Sequence, residues 1–208
     1  SDARRLFSES YPPFGLVASF LGALAVGNDG TTTSVVSNDG AFQRAFLLPG
    51  TCARAFPHTT KVIGLDACHL KTRFGGVMLV LTVLDGNGSI FPGAIAVAES
   101  ENTTTWSWFV ALVKAALHID DGSGIVVLSD REKGIDHAVE QFLPGASHSY
   151  CVYHIQKNVK TQFKTALNGL LFKAAKSATA NGFWEAVDEM KRVNPAAGEY
   201  VARIDPMR

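Results

Sequence analysis

Two aspartates interrupt stretches that are otherwise apolar. Asp66 lies inside the run Lys61 to Ala67 (KVIGLDA), and Asp130 follows the run Ile125 to Ser129. A buried ionised carboxylate is costly unless it is paired, hydrogen-bonded or metal-bound, so an acid in such a strand asks for a reason. If the two runs form neighbouring parallel strands, their backbones lie about 4.8 Å apart. Both acids then emerge near the carboxyl ends of the strands, where ligands of open α/β sheets collect. Two oxygen donors at that separation suit Mg²⁺ or Mn²⁺, hard ions that keep several waters. Two such ions about 3.5–4 Å apart activate a nucleophile and stabilise a leaving oxygen in phosphoryl transfer. A plainer reading stands beside this one: Asp130 caps the helix that begins near Glu132, and Asp66 pairs with Lys71 or Arg73.

Other groups could join that chemistry. Glu99 and Glu101 fall between the third strand of the core and the helix after it, near the sheet end where Asp66 belongs, which makes them candidates for an additional carboxylate. Glu185, Asp188 and Glu189 share a later helix, where a solvated face is the simplest role. Cys151 and His154 are three residues apart, half of a zinc set in spacing. The other half would have to be Cys68 and His69, adjacent on a strand and pointing to opposite faces, so zinc is not expected. Residues 61–150 carry ten acids against six bases, whereas residues 151–176 carry five lysines and no acid. Lys157, Lys160 and Lys164 are expected on one helix face, opposite Ile155, Val159 and Phe163, either tracking DNA phosphates or as a solvated face. Trp106 and Trp108 at a helix start read as core.

The elements that must position these residues are legible in outline. Residues 61–67, 74–84 and 90–98 read as three strands, the second and third joined by Asp85-Gly86-Asn87-Gly88. Pro92 predicts a bulge or an edge near the start of the third. A helix follows from about Trp106 to Leu117, capped within Thr103-Thr104-Thr105. Then come a short strand at 125–128, a helix at 132–142, a strand at 148–152, and a helix spanning 153–172 with apolar residues at helical spacing. Ahead of residue 61, a helix over 14–26 precedes a hairpin turning at Asn38-Asp39-Gly40. Three meander strands followed by alternating helix and strand give an α/β arrangement with a mixed sheet.

Composition narrows the class. The 208 residues hold 19 Lys+Arg, 19 Asp+Glu and 47% hydrophobic residues, which excludes disorder, coiled coil and binding through bulk positive charge. Three cysteines are too few for a disulfide framework and point to a reducing compartment. Arg4 and Arg5 ahead of the apolar run 14–26 imitate the start of a secretory signal. That run is too short to span a bilayer, and a buried helix is the expectation.

An ordered set of blocks resembles the catalytic domain of Mutator-like element (MULE) transposases. The blocks are VIGLDACHLK at 62–71 with Gly75-Gly76, Asp85-Gly86-Asn87, Phe91-Pro92, Glu99-Ser100-Glu101-Asn102 with Trp106-Ser107-Trp108-Phe109, Ser129-Asp130-Arg131-Glu132-Lys133-Gly134, and Tyr150-Cys151-Val152-Tyr153-His154. The last matches that family's C-x2-H element. The resemblance implies an RNase H-like fold in which Asp66 and Asp130 are the first and second catalytic aspartates and metal ligands. It implies a two-metal Mg²⁺ or Mn²⁺ site in the complete domain, DNA (transposon ends and target) as partner, and a nuclear location. The family's third carboxylate, a Glu beyond a helical insertion, is not recognisable in this sequence and is expected outside it, so the fragment alone is expected to be inert.

The expected architecture is an RNase H-like mixed five-stranded sheet. Residues 1–60 form a helix-and-hairpin extension, 61–172 the core, and 173–208 the start of a helical insertion. The expected function is that of a DNA transposase catalytic-domain fragment cutting and joining DNA, with homo-oligomers compatible and no membrane partner. Two alternatives have the same fold: a domesticated, transposase-derived regulator that binds DNA without catalysis, and a protein-interaction module.

Overall fold

The computed structural model describes residues 12–71 and 74–208, with side chains from residue 15 onward. Arg4, Arg5 and Arg73 therefore lie outside the described residues. The described chain is α/β, with one seven-stranded mixed sheet and eight α-helices. In chain order these are α1 (Pro12–Gly27), β1 (Thr32–Asn38), β2 (Ala41–Leu48), α2 (Gly50–Ala55), β3 (Val62–His69), β4 (Val77–Leu84), β5 (Ile90–Ala98) and α3 (Thr103–Ala116). They continue with β6 (Val126–Ser129), α4 (Lys133–Phe142), β7 (Ser147–Tyr150), α5 (Val152–Phe163), α6 (Asn168–Ala175), α7 (Ala180–Val193) and α8 (Pro195–Ala202). The strand order is β1-β2-β5-β4-β3-β6-β7.

The chain divides into two compact units. One holds the residues up to Leu128 together with Glu132–Ser147; the other holds Ser129–Arg131 and His148–Arg208.

In the first unit, β3, β4 and β5 form the expected antiparallel meander, with Asp66 opposite Val80. Turn chemistry closes β4–β5: Asp85 Oδ1 accepts the N–H groups of Asn87 and Ser89, both at 2.8 Å. The β4–β5 register slips between Leu81 and Thr82, where Ala94 and then Pro92 stand opposite, so the bulge falls beside the proline as expected.

The five-stranded expectation is corrected to seven. The hairpin β1–β2 is part of the same sheet, because Ala45, Phe46 and Leu47 pair antiparallel with Val97, Ala96 and Ile95 of β5. The physical reason is the free edge of β5, whose backbone groups need partners. Alternation along β2 also sends Phe46 and Leu48 into the same core. The hairpin turn has Asp39 and Gly40 both at positive φ (51° and 76°), the conformation its sequence favours.

That core is built on the sheet face covered by α3. Phe46, Trp106 and Phe109 are fully buried, with edge-on ring contacts of 5.7 Å (Phe46–Phe109) and 5.8 Å (Trp106–Phe109). Trp106 is a core residue, and the half-buried Trp108 packs against that core, edge-on to Phe46. Helix α3 is capped by Asn102, whose Oδ1 accepts Thr105 N–H at 2.9 Å, and not by the threonines. Helix α1 departs from expectation: among its described side chains only Leu21 is buried, while Leu16, Phe20 and Val26 are exposed. Among the described residues no helix is long and apolar enough to cross a membrane.

In the second unit, α5 to α8 enclose a separate core of Ile155, Val159, Leu171, Val187, Met190 and Val201. The single helix expected over 153–172 is two. Lys164 adopts a left-handed conformation (φ 53°) that ends α5 at Phe163, and α6 restarts at Asn168. Apolar residues on both pieces face one core, so the helical period runs through a break that no Gly or Pro announces.

Candidate active site on strands β3 and β6

Strand β3 alternates, with Ile63 and Leu65 buried and Asp66 on the other, exposed face. The desolvation argument that singled out Asp66 therefore does not apply to it, because its carboxylate stands in solvent. Its Oδ1 accepts the N–H of Ala67 at 2.8 Å. The neighbouring strand is β6. Val126 N–H donates to Lys61 O at 2.9 Å, and a Cβ on Gly64 would lie 3.9 Å from Leu128 O. Residue numbers rise together along the pair, so β3 and β6 run parallel.

Asp130 is half-buried and follows the last residue of β6. It does not cap α4. Glu132 occupies that position, its carboxylate accepting Gly134 N–H at 3.4 Å.

Each remaining candidate has a definite place. Glu99 is ion-paired with Arg44 of β2. Glu101 accepts the indole N–H of the buried Trp106 at 3.1 Å. Both carboxylates thus support the junction between β5 and α3. Of the later acids, Glu185 and Asp188 are exposed, and Glu189 is paired with Lys173 at 2.6 Å. Lys157 and Lys160 are exposed on α5, one turn apart, but Lys164 is its left-handed C-cap and leaves the expected stripe.

Cys151 is the N-cap residue of α5, and its work is done by backbone groups. Its N–H donates to Ser129 O at 2.6 Å, and its C=O accepts from His154 at 3.0 Å and Ile155 at 3.1 Å. Among the described residues no group of three or more His, Cys, Asp or Glu side chains gathers to hold a metal ion.

Residues 62–158 match the family model of the MULE transposase domain. Over that segment the chain is similar to MULE transposase domains. No curated protein matches the chain. The matched segment includes Asp66, Glu99, Glu101, Asp130, Cys151, His154 and Lys157, whereas Lys160, Lys164 and the helices α6 to α8 lie beyond it.

Sequence reasoning missed the polar groups that surround Asp130 within the second unit. Ser129 and His148 are buried and meet at 2.8 Å between Oγ and Nε2. The Arg131 guanidinium stacks over Tyr200 at 5.1 Å and Tyr150 at 5.9 Å. Nothing local marks these partners, which lie far apart in the chain; only the S-D-R block adjoining an apolar run hinted that the segment was special.

Proposed function

We propose that the MULE domain of this chain serves, in the complete protein, divalent-metal-dependent cutting of DNA and joining of the cut ends to a target, a nuclear activity. Asp66 and Asp130 are the carboxylates that hold the cation. The observation that carries this reading is the parallel pairing of β3 with β6: Val126 donates to the carbonyl just before Val62, and each aspartate follows its valine by four residues.

The donor set suits the ion. Both groups are oxygen donors, one exposed and one half-buried, which fits Mg²⁺ or Mn²⁺ keeping several waters of its own. When bound, such an ion polarises a phosphodiester and lowers the pKa of a coordinated water. The chain's own part is to present one carboxylate from within β3 and the other from the residue that follows β6. Lys157 and Lys160 place positive charge along α5, where no acid occurs between residues 151 and 176, and track the DNA backbone. Because Glu99 and Glu101 are already engaged by Arg44 and Trp106, the reading rests on the two aspartates, and two carboxylates hold a metal weakly.

Calorimetric titration of Mn²⁺ into the chain, with Asp66→Ala and Asp130→Ala as controls, tests it. Binding that disappears in each variant is the expected result. Binding that survives both substitutions removes these aspartates from the site.

A further inference from the structure

Asp130 takes its importance from the function proposed above, but the groups that hold it are described independently of any metal. Ser129 Oγ lies 2.6 Å from Asp130 O and 2.8 Å from His148 Nε2. A carbonyl oxygen only accepts, so the serine hydroxyl hydrogen must point at Asp130 O. The serine oxygen is left as an acceptor toward His148, and Nε2 must therefore carry the proton. Nδ1 then presents a lone pair, the form that suits the guanidinium of Arg208, whose Nη1 lies 3.5 Å away.

Arg208 is itself held. Its Nη1 donates to Tyr150 Oη at 3.0 Å, its carbonyl accepts Tyr150 N–H at 2.7 Å, and its guanidinium carbon sits 5.4 Å from the Tyr150 ring centre. The serine is pinned from its other side, because Ser129 O accepts Cys151 N–H at 2.6 Å. Ser129 is 1% exposed and His148 8%, so no bulk water competes for these bonds.

We infer that His148 is a positioning residue for Asp130. Its Nε2–H, acting through the Ser129 hydroxyl, fixes the Asp130 peptide carbonyl and with it the direction in which the carboxylate leaves the end of β6. On the other side, Cys151 anchors the Ser129 carbonyl through its backbone N–H. A free aspartate at a strand end would sample several backbone angles, and a metal site built on it would have to order them on binding. Outer partners of metal-binding residues typically change metal affinity by about 10–100-fold when removed.

The test has two parts. In the unmodified chain, ¹⁵N side-chain correlation spectra of His148 should show a protonated Nε2 and a bare Nδ1; the opposite tautomer overturns the relay. In variants, Ser129→Ala and His148→Phe should each weaken Mn²⁺ binding by about tenfold. His148→Gln, whose amide can place an N–H where Nε2–H was, should stay close to the parent. The Asp130 carbonyl ¹³C shift should move in Ser129→Ala and His148→Phe and hold in His148→Gln. Unchanged Mn²⁺ affinity in Ser129→Ala, with binding abolished in Asp130→Ala, overturns the positioning role and leaves the metal reading intact. Mn²⁺ that fails to bind, or that binds in Asp130→Ala as in the parent, overturns the metal reading instead. The relay then stands if the Asp130 shift follows the pattern above and falls if it does not.

Discussion

The Arg44–Glu99 pair offers a prediction that separates structural from catalytic use of a carboxylate. Arg44 is 10% exposed in its side chain and Glu99 41%. The guanidinium carbon lies 5.3 Å from the Trp108 ring centre, and Nε is buried without a hydrogen-bond partner. Converting Glu99 to Gln keeps the shape and removes the charge that neutralises Arg44. Breaking a fully buried pair costs roughly 3–5 kcal/mol. Water reaches nearly half of Glu99 and screens part of that loss, so about 1–3 kcal/mol is expected here. For a domain of this size each kcal/mol lowers Tm by about 2–4 °C, so Glu99→Gln should melt several degrees early. The double variant Arg44→Met with Glu99→Gln should recover most of the loss, since the aliphatic stem still packs on Trp108 and no lone charge remains. Thermal melts followed by circular dichroism, with Mn²⁺ titration of the same variants, give both readouts. Glu99→Gln should lower Tm and leave Mn²⁺ binding unchanged. A variant that melts with the parent but loses Mn²⁺ would refute this reasoning and make Glu99 a metal ligand.

Three further outcomes follow from the geometry. Gly134→Ala should destabilise by about 1–2 kcal/mol in a urea melt, because overpacking outweighs the better helix propensity; the new Cβ would meet Trp106 Cδ1 at 3.0 Å and the backbone of Asn102 and Thr103 at 3.1 Å. Burial pushes the Cys52 thiol above its ordinary range, against a lowering bond from Thr51. A thiol reagent at pH 8 should therefore label the exposed Cys68 well before Cys52, as mass spectrometry of the peptides would show. The backbone N–H of Ser123, and then its hydroxyl, hold the Asp121 carboxyl below the usual range. Its contribution to stability is present above the unfolded pKa of about 3.9 and disappears as pH falls through the lower folded value. A carboxyl NMR titration should find Asp121 among the last acids to protonate, and Ser123→Pro, lacking the N–H, should raise it.

Much of the fold was legible because it is written locally. Asp39 and Gly40 tolerate the positive φ of the hairpin turn, Asp85 can serve two N–H groups of its own turn, and periods of two and of helical spacing persist within single elements. Asp66 and Asp130 were visible for the same reason, as acids in apolar company. What lay beyond local reading were relations between distant segments. The sequence of β2 does not say that β5 has a free edge to fill, so five strands became seven. A helical period cannot reveal that Lys164 turns left-handed between α5 and α6 when both helices address one core.

The residues by themselves determined which acids stand in the strands, where the turns fall and which family the blocks resemble. Tertiary structure decided what each acid does: Asp66 faces solvent, Glu99 and Glu101 serve Arg44 and Trp106, and Glu132 is the N-cap of α4. It also brought His148 to Ser129 across nineteen residues. The physical reason is one of range. Backbone propensity and turn chemistry act over a few residues, whereas the partner of a carboxylate or a buried hydroxyl is chosen only when chain closure brings distant groups within hydrogen-bond reach.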